Sequence, residues 1–94
     1  MNKYTQGRRE EYRIRDIFRN NGYYVIRSAG SKGIFDLIIL GQNTGYAIQI
    51  KKGSNITRKE LEKFLDTKVC LHKVIWYRRK NYEKVSYYKW DYKS

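Results

Sequence analysis

The most apolar stretch of the chain, Ile34-Phe35-Asp36-Leu37-Ile38-Ile39-Leu40, contains a single acid. Seven residues fall far short of the roughly 20 apolar residues that cross a bilayer. The stretch is rich in isoleucine. It lies between two turn signals, Ser28-Ala29-Gly30-Ser31-Lys32-Gly33 and Gly41-Gln42-Asn43-Thr44-Gly45. Length and punctuation together read as a strand. Apart from Asp36 that strand is apolar on both faces, which suits the interior of a sheet with helices packed on it.

The flanking sequence supplies the other elements. Residues 5–21 read as a helix, with Ile14, Ile17 and Phe18 at helical spacing and Asn20-Asn21-Gly22 as its stop. Tyr23 to Arg27 reads as a first strand and Tyr46 to Lys52 as a third, after the strand at 34–40. Thr57 and Glu60 form a Thr-x-x-Glu capping box. The helix it opens carries Leu61, Phe64 and Leu65 and is expected to run to about residue 69. Two more strands are expected, at about 73–79 and about 84–91, the second following an Asn81-Tyr82 turn. The expected fold class is α/β, a mixed sheet of about five strands in the order α-β-β-β-α-β-β. Without repeats or a linker, residues 1–94 read as one domain.

Asp36 is the only acid between Ile17 and Lys59. An ionised carboxylate in so apolar a strand costs several kcal/mol unless it is paired. Its partner is either a cation or the amide groups of the preceding glycine-rich turn. Gln49 and Lys51, two apart on the next strand, project to one face. A four-residue turn at 41–44 pairs Leu40 with Gly45 and brings Asp36 opposite Gln49. A five-residue turn brings it opposite Ile50, because a slip of one residue changes the face. A second acid on the first helix would complete a metal site. Glu10 and Glu11 both flank the apolar stripe, and periodicity does not choose between them; either also suits a solvated flank.

Charge narrows the range of partners. Twenty-one Lys and Arg against nine Asp and Glu leave +12 over 94 residues. So large an excess opposes compaction and favours a polyanion, nucleic acid first. No amphipathic helix combines a basic face with a bulky apolar one, so a membrane partner is not expected. The single Cys70 excludes an internal disulfide and a cysteine-based zinc site, and a lone thiol suits a reducing cytoplasm.

Several of these residues together resemble a family. Gly7-x-x-x-Glu11, then Gly22-Tyr23-Tyr24-Val25-Ile26-Arg27-Ser28-Ala29-Gly30-Ser31, then Phe35-Asp36-Leu37-Ile38 and Gln49-Ile50-Lys51 are similar to the archaeal Holliday-junction resolvases. The resemblance runs from about residue 4 to the fourth strand. It implies a PD-(D/E)xK nuclease fold, a homodimer, and metal-dependent cleavage of branched DNA at four-way junctions.

By position, the resemblance implies that Glu11 is the helix glutamate, Asp36 the metal-binding aspartate and Lys51 the lysine of the final motif. Ser31 falls in the turn that such enzymes hold near the scissile phosphate. Gln49 stands where the family has glutamate. Oxygen donors from Glu11, Asp36, the Gln49 amide and the Ile50 carbonyl suit a hard cation, Mg²⁺ or Mn²⁺. The missing charge at Gln49 leaves an alternative: a non-catalytic, structure-selective DNA-binding protein on the same fold. A nuclease with a different DNA substrate is a third reading.

Phosphate contacts are expected from Arg8, Arg9, Arg27, Lys32 and Lys52. Basic residues interleaved with Tyr and Trp fill the last third of the chain, where core and dimer packing is a better use of the rings than base stacking. His72, at a helix–strand junction, reads as structural.

Overall fold

A computed structural model of the chain describes residues 3–28, 34–53 and 55–90, with side chains from Arg9 onward. The elements are α1 (Lys3–Asn20), β1 (Tyr24–Arg27), β2 (Leu37–Leu40), β3 (Gly45–Lys52), α2 (Arg58–Asp66), β4 (His72–Arg79) and β5 (Tyr82–Tyr88). The order matches the expected α-β-β-β-α-β-β. The five strands form one mixed sheet in the order β1-β2-β3-β4-β5. Only β3 and β4, joined through α2, run parallel. The other neighbours are antiparallel. No described helix is long and apolar enough to cross a membrane.

Local chemistry accounts for the helix ends. At the end of α1 the Gly22 N–H donates to the Arg19 carbonyl (3.1 Å) and the Tyr23 N–H to that of Phe18 (3.1 Å). With Gly22 at φ +88° this is a Schellman stop. Its apolar contact is the edge-on packing of Phe18 and Tyr23, ring centroids 5.5 Å apart. A Cβ at Gly22 would meet nothing within 4 Å, so Gly22→Ala tests the backbone conformation alone. Left-handed geometry costs a non-glycine residue about 1–2 kcal/mol. Chemical denaturation should register a loss of that size, and an unchanged midpoint would mean the left-handed stop is not needed.

The Thr57–Glu60 capping box forms in both directions at the start of α2. The helix ends at Asp66 rather than at about 69. Thr67 is extended (ψ 120°), and its N–H and Oγ1 both donate to the Lys63 carbonyl, closing the last turn.

The core lies on both faces of the sheet. Ile14 from α1 packs with Val25, Leu37, Ile39, Ile48 and Val74 on one face. Strand alternation sends Ala47 and Ile75 to the other, and both are fully buried. Phe64 of α2 is buried with them, its ring 5.3 Å from Phe35 and 6.2 Å from Tyr88. Ile17 and Leu65, expected in the apolar stripes, are 39% and 42% exposed and sit at their margins. The hairpin turn is Lys80-Asn81, with Arg79 paired to Tyr82, so β5 begins two residues earlier than expected and ends at Tyr88. His72 is buried and its Nδ1 accepts the Trp90 N–H (2.9 Å), a structural role.

Candidate active site

The register of the β2–β3 hairpin decides which side chains meet. Leu40 pairs with Gly45 and Leu37 with Ile48, the arrangement of a four-residue turn. Past the last pair of this ladder, Asp36 bonds to Ile48 and Ile50, the residues on either side of Gln49. Asp36 lies just before β2, and strand geometry stops there for a visible reason. The Asp36 N–H donates to the Ile48 carbonyl (2.7 Å), while its Oδ2 accepts the Ile50 N–H (2.7 Å). A side-chain oxygen thus takes a bond from β3 that a neighbouring backbone carbonyl would otherwise accept. This is why the expected strand at 34–40 contracts to Leu37–Leu40.

Four influences act on the Asp36 carboxyl. Burial raises its pKa above the usual aspartate value, and the Ile50 N–H opposes that rise. The Glu11 carboxylate raises it further and the Lys51 ammonium lowers it. Glu11 and Lys51 are therefore each within electrostatic reach of Asp36 at the mouth of the β2–β3 hairpin. Gln49 and Ile50, half-buried, complete the strand segment beside them.

The two adjacent glutamates of α1, about 100° apart around the helix, separate cleanly. The Glu11 Oε2 accepts from the Arg27 Nε at 2.6 Å. Glu10 turns to the sheet, where its side chain is 9% exposed and lies 3.0 Å from Arg13 and 3.7 Å from both Lys52 and Arg78. Glu83 of β5 continues this network through Arg13, Arg78 and the Trp76 indole N–H. Glu10 thus anchors α1 to the sheet, and Glu11 turns to Arg27 within electrostatic reach of Asp36. The helical period left this choice open because it hinges on how the helix is rotated on the sheet.

One contact was not anticipated. The Lys51 Nζ bonds the Glu60 Oε2 at 3.0 Å, while Oε1 of the same carboxylate accepts the Thr57 N–H at 3.2 Å. Lys51, with the Thr57 amide and hydroxyl, holds the Glu60 carboxyl below its usual pKa. The capping box was legible in the sequence. Its spare oxygen was the only signal that Glu60 could reach a second partner.

The residues expected to contact phosphate are dispersed. Arg27 is paired with Glu11 and stacks over the Tyr12 ring at 5.3 Å. Lys52, neighbour of Lys51 on the strand, faces the opposite side and Glu10. Arg9 is exposed. The Arg8 side chain, Ser31 and Lys32 lie outside the described residues. Among the described residues, no three His, Cys, Asp or Glu side chains come together as a metal site. The cluster at Asp36 has two carboxylates and an amide.

A mixed sheet with helices on both faces, and an Asp/Gln-x-Lys pair on adjoining strands facing a helix glutamate, has the architecture of the PD-(D/E)xK nucleases. The chain matches the family described as archaeal Holliday junction resolvase (hjc) over residues 2–74, and it belongs to that family. Among solved structures it resembles Archaeoglobus fulgidus Hjc, a Holliday junction resolvase from an archaeal hyperthermophile, with a TM-score of 0.64. The two are 16% identical, and the match covers 88% of this chain and 71% of that one. No curated protein sequence matches significantly.

Proposed function

We propose that this chain is a metal-dependent, structure-specific endonuclease that cuts four-way DNA junctions. The observation that carries the reading is the position of Asp36, clamped to β3 and flanked by the Glu11 carboxylate and the Lys51 ammonium. Burial and a neighbouring anion both disfavour its charge, and a bound cation would relieve both. The donors fit Mg²⁺ in kind, since that ion takes one or two protein carboxylates and completes its shell with water and substrate phosphate. Glu11, Asp36, the Gln49 amide oxygen and the Ile50 carbonyl would hold it; Mn²⁺ suits the same oxygens. When bound, it would supply Lewis-acid stabilisation of the phosphate and an acidified water.

The chain's own groups do the rest. Ile50 holds the Asp36 carboxylate in one orientation through its N–H. Lys51 offers its ammonium to the phosphate, offsetting charge that develops there. Glu60 sets where that ammonium stands. Glu60→Gln keeps a residue competent for the capping box and removes the charge that holds Lys51. The expected result is about tenfold slower single-turnover cleavage, matching loss of one charge-assisted hydrogen bond of about 1.5 kcal/mol. Junction affinity and melting temperature should hardly change. An unaltered cleavage rate would remove Glu60 from this role.

A homodimer suits paired cuts in a symmetric junction. The edge of the sheet supports it. Tyr24 (68% exposed) pairs with Leu40, and Ile26 (45%) with Ile38, so β1 and β2 expose a contiguous apolar patch.

Gln49 favours one other reading, a protein that binds junctions without cutting them, because the site lacks a third carboxylate. Incubation with a labelled four-way junction and with matched linear duplex, in Mg²⁺ or Mn²⁺, separates the two. Paired symmetric cuts confined to the junction are expected. Tight junction binding with no cutting in either metal would establish the binding-only protein.

A further inference from the structure

An open cleft of about 430 Å³, lined by Asn55, Tyr77, Arg79, Tyr82 and Lys84, lies beside the Asp36 cluster. Register ties the two together. Lys51 is level with Tyr77 on β4, Tyr77 with Lys84 on β5, and Arg79 with Tyr82 across the hairpin. Strand alternation puts these residues on the same face of the sheet as Gln49 and Lys51. The cleft therefore continues from the candidate active site towards the hairpin tip.

Its charges differ from those on the opposite face of the same hairpin. There Arg78 meets Glu83 and Glu10, and Arg13 meets the same two acids. In the cleft, by contrast, no lining residue among the described residues is acidic. Arg79 donates one N–H to the Asn55 Oδ1 (2.9 Å), which fixes the guanidinium and leaves most of its five donors for another acceptor. Lys84 lies 6.0 Å from the centre of the Tyr77 ring. Tyr82 is 52% exposed beside them. Held cations without carboxylate partners among the described residues, next to an exposed ring, match the two needs of a nucleic-acid strand: phosphate neutralisation and a stacking platform.

We propose that this cleft is a subsite for the DNA strand leaving the cleavage site, with Arg79 and Lys84 on its phosphates and Tyr82 against a base. The proposal deepens the nuclease reading and rests on it for the strand's identity. Lys84 is two strand spacings across the sheet from Lys51, about 10 Å, and Tyr82 lies two residues along β5 from Lys84, which puts it about 12 Å from Lys51. At about 3.4 Å per nucleotide, the subsite lies roughly three to four nucleotides from the scissile phosphate.

Binding is measured in the Asp36→Asn background, so that it does not depend on cutting. Fluorescence anisotropy with a labelled four-way junction would follow affinity against salt. Arg79→Gln/Lys84→Gln should weaken binding at least tenfold and reduce the salt slope by about 2, one per lost phosphate contact. Arg19→Gln/Lys68→Gln, at the other end of the sheet, should reduce it less. Tyr82→Leu should cost about five- to a hundredfold, as loss of one stacked base does, and Tyr82→Phe should restore binding. An unchanged slope in the Arg79/Lys84 variant, or equal losses in Leu and Phe at 82, would overturn the subsite. Wild-type protein assayed for cleavage in parallel tests the other reading: cutting with cleft variants that bind normally sinks only the subsite, and normal subsite behaviour without cutting sinks only the nuclease.

Discussion

Replacing Asp36 by Asn is expected to lower junction cleavage at least a thousandfold while leaving junction affinity within a few-fold of wild type. A loss of three decades corresponds to about 4 kcal/mol of transition-state stabilisation. The substitution conserves shape, and an amide oxygen can still accept the Ile50 N–H, so the local backbone has no reason to move. What disappears is one of the two charges available to a cation. Single-turnover cleavage and anisotropy on the same preparation separate the effects, and persistence of cutting would mean that the reaction does not run through Asp36.

The same variant should be more stable than wild type without metal. Burial and Glu11 raise the Asp36 pKa, so the folded chain holds this proton more tightly than the unfolded one. Stability from this group is therefore lost as pH rises from 3.8, the usual aspartate value, through the raised folded value. At neutral pH the charged form is a cost, and Asn removes it. A gain of a few degrees in melting temperature is expected, the size that about 0.5–1 kcal/mol produces in so small a domain. Mg²⁺ should raise the melting temperature of wild type through preferential binding to the folded state and leave that of the variant nearly unchanged. Equal responses to Mg²⁺ would detach Asp36 from metal binding even if cleavage were lost.

Gln49→Glu is expected to act in the opposite sense. A third carboxylate on the strand segment that Asp36 bonds to should lower the Mg²⁺ concentration for half-maximal cleavage about tenfold, equivalent to about 1.4 kcal/mol of added attraction. It should also destabilise the metal-free fold, because a further anion beside Asp36 disfavours both charges. The thermal shift produced by Mg²⁺ should thus grow from both ends. An unchanged metal titration would exclude Gln49 as a ligand. If wild type binds junctions without cutting and this variant cuts, the missing charge is the reason.

Much of the architecture was legible before any coordinates. Gly22 and the Thr57–Glu60 pair mark helix termini through contacts within a few residues of themselves, whereas the sequence left the β2–β3 turn open at four or five residues. Local chemistry of that kind is written in order along the chain. The Asp36 anomaly was equally visible, since a carboxylate in an apolar strand demands a partner wherever it occurs. Element boundaries were less secure where a side chain competes with the backbone. Asp36 delays the start of β2 and Thr67 ends α2 early for that reason, and propensity does not register such competition.

Residue order therefore settles the succession of elements, the excess of positive charge and the identity of the one acid that needs explaining. The roles of Glu10 and Glu11 depended instead on how α1 is rotated against the sheet, which follows from the packing of Ile14 and Phe18. The partner of Lys51 depended on α2 crossing from β3 to β4 and bringing Glu60 back over the sheet. The division of cations between the two faces of the β4–β5 hairpin depended on register, where one residue's shift would exchange Arg78 for Arg79. Each of these is a contact between residues distant in the chain, and such contacts exist only once the shared core has fixed how the layers sit on one another.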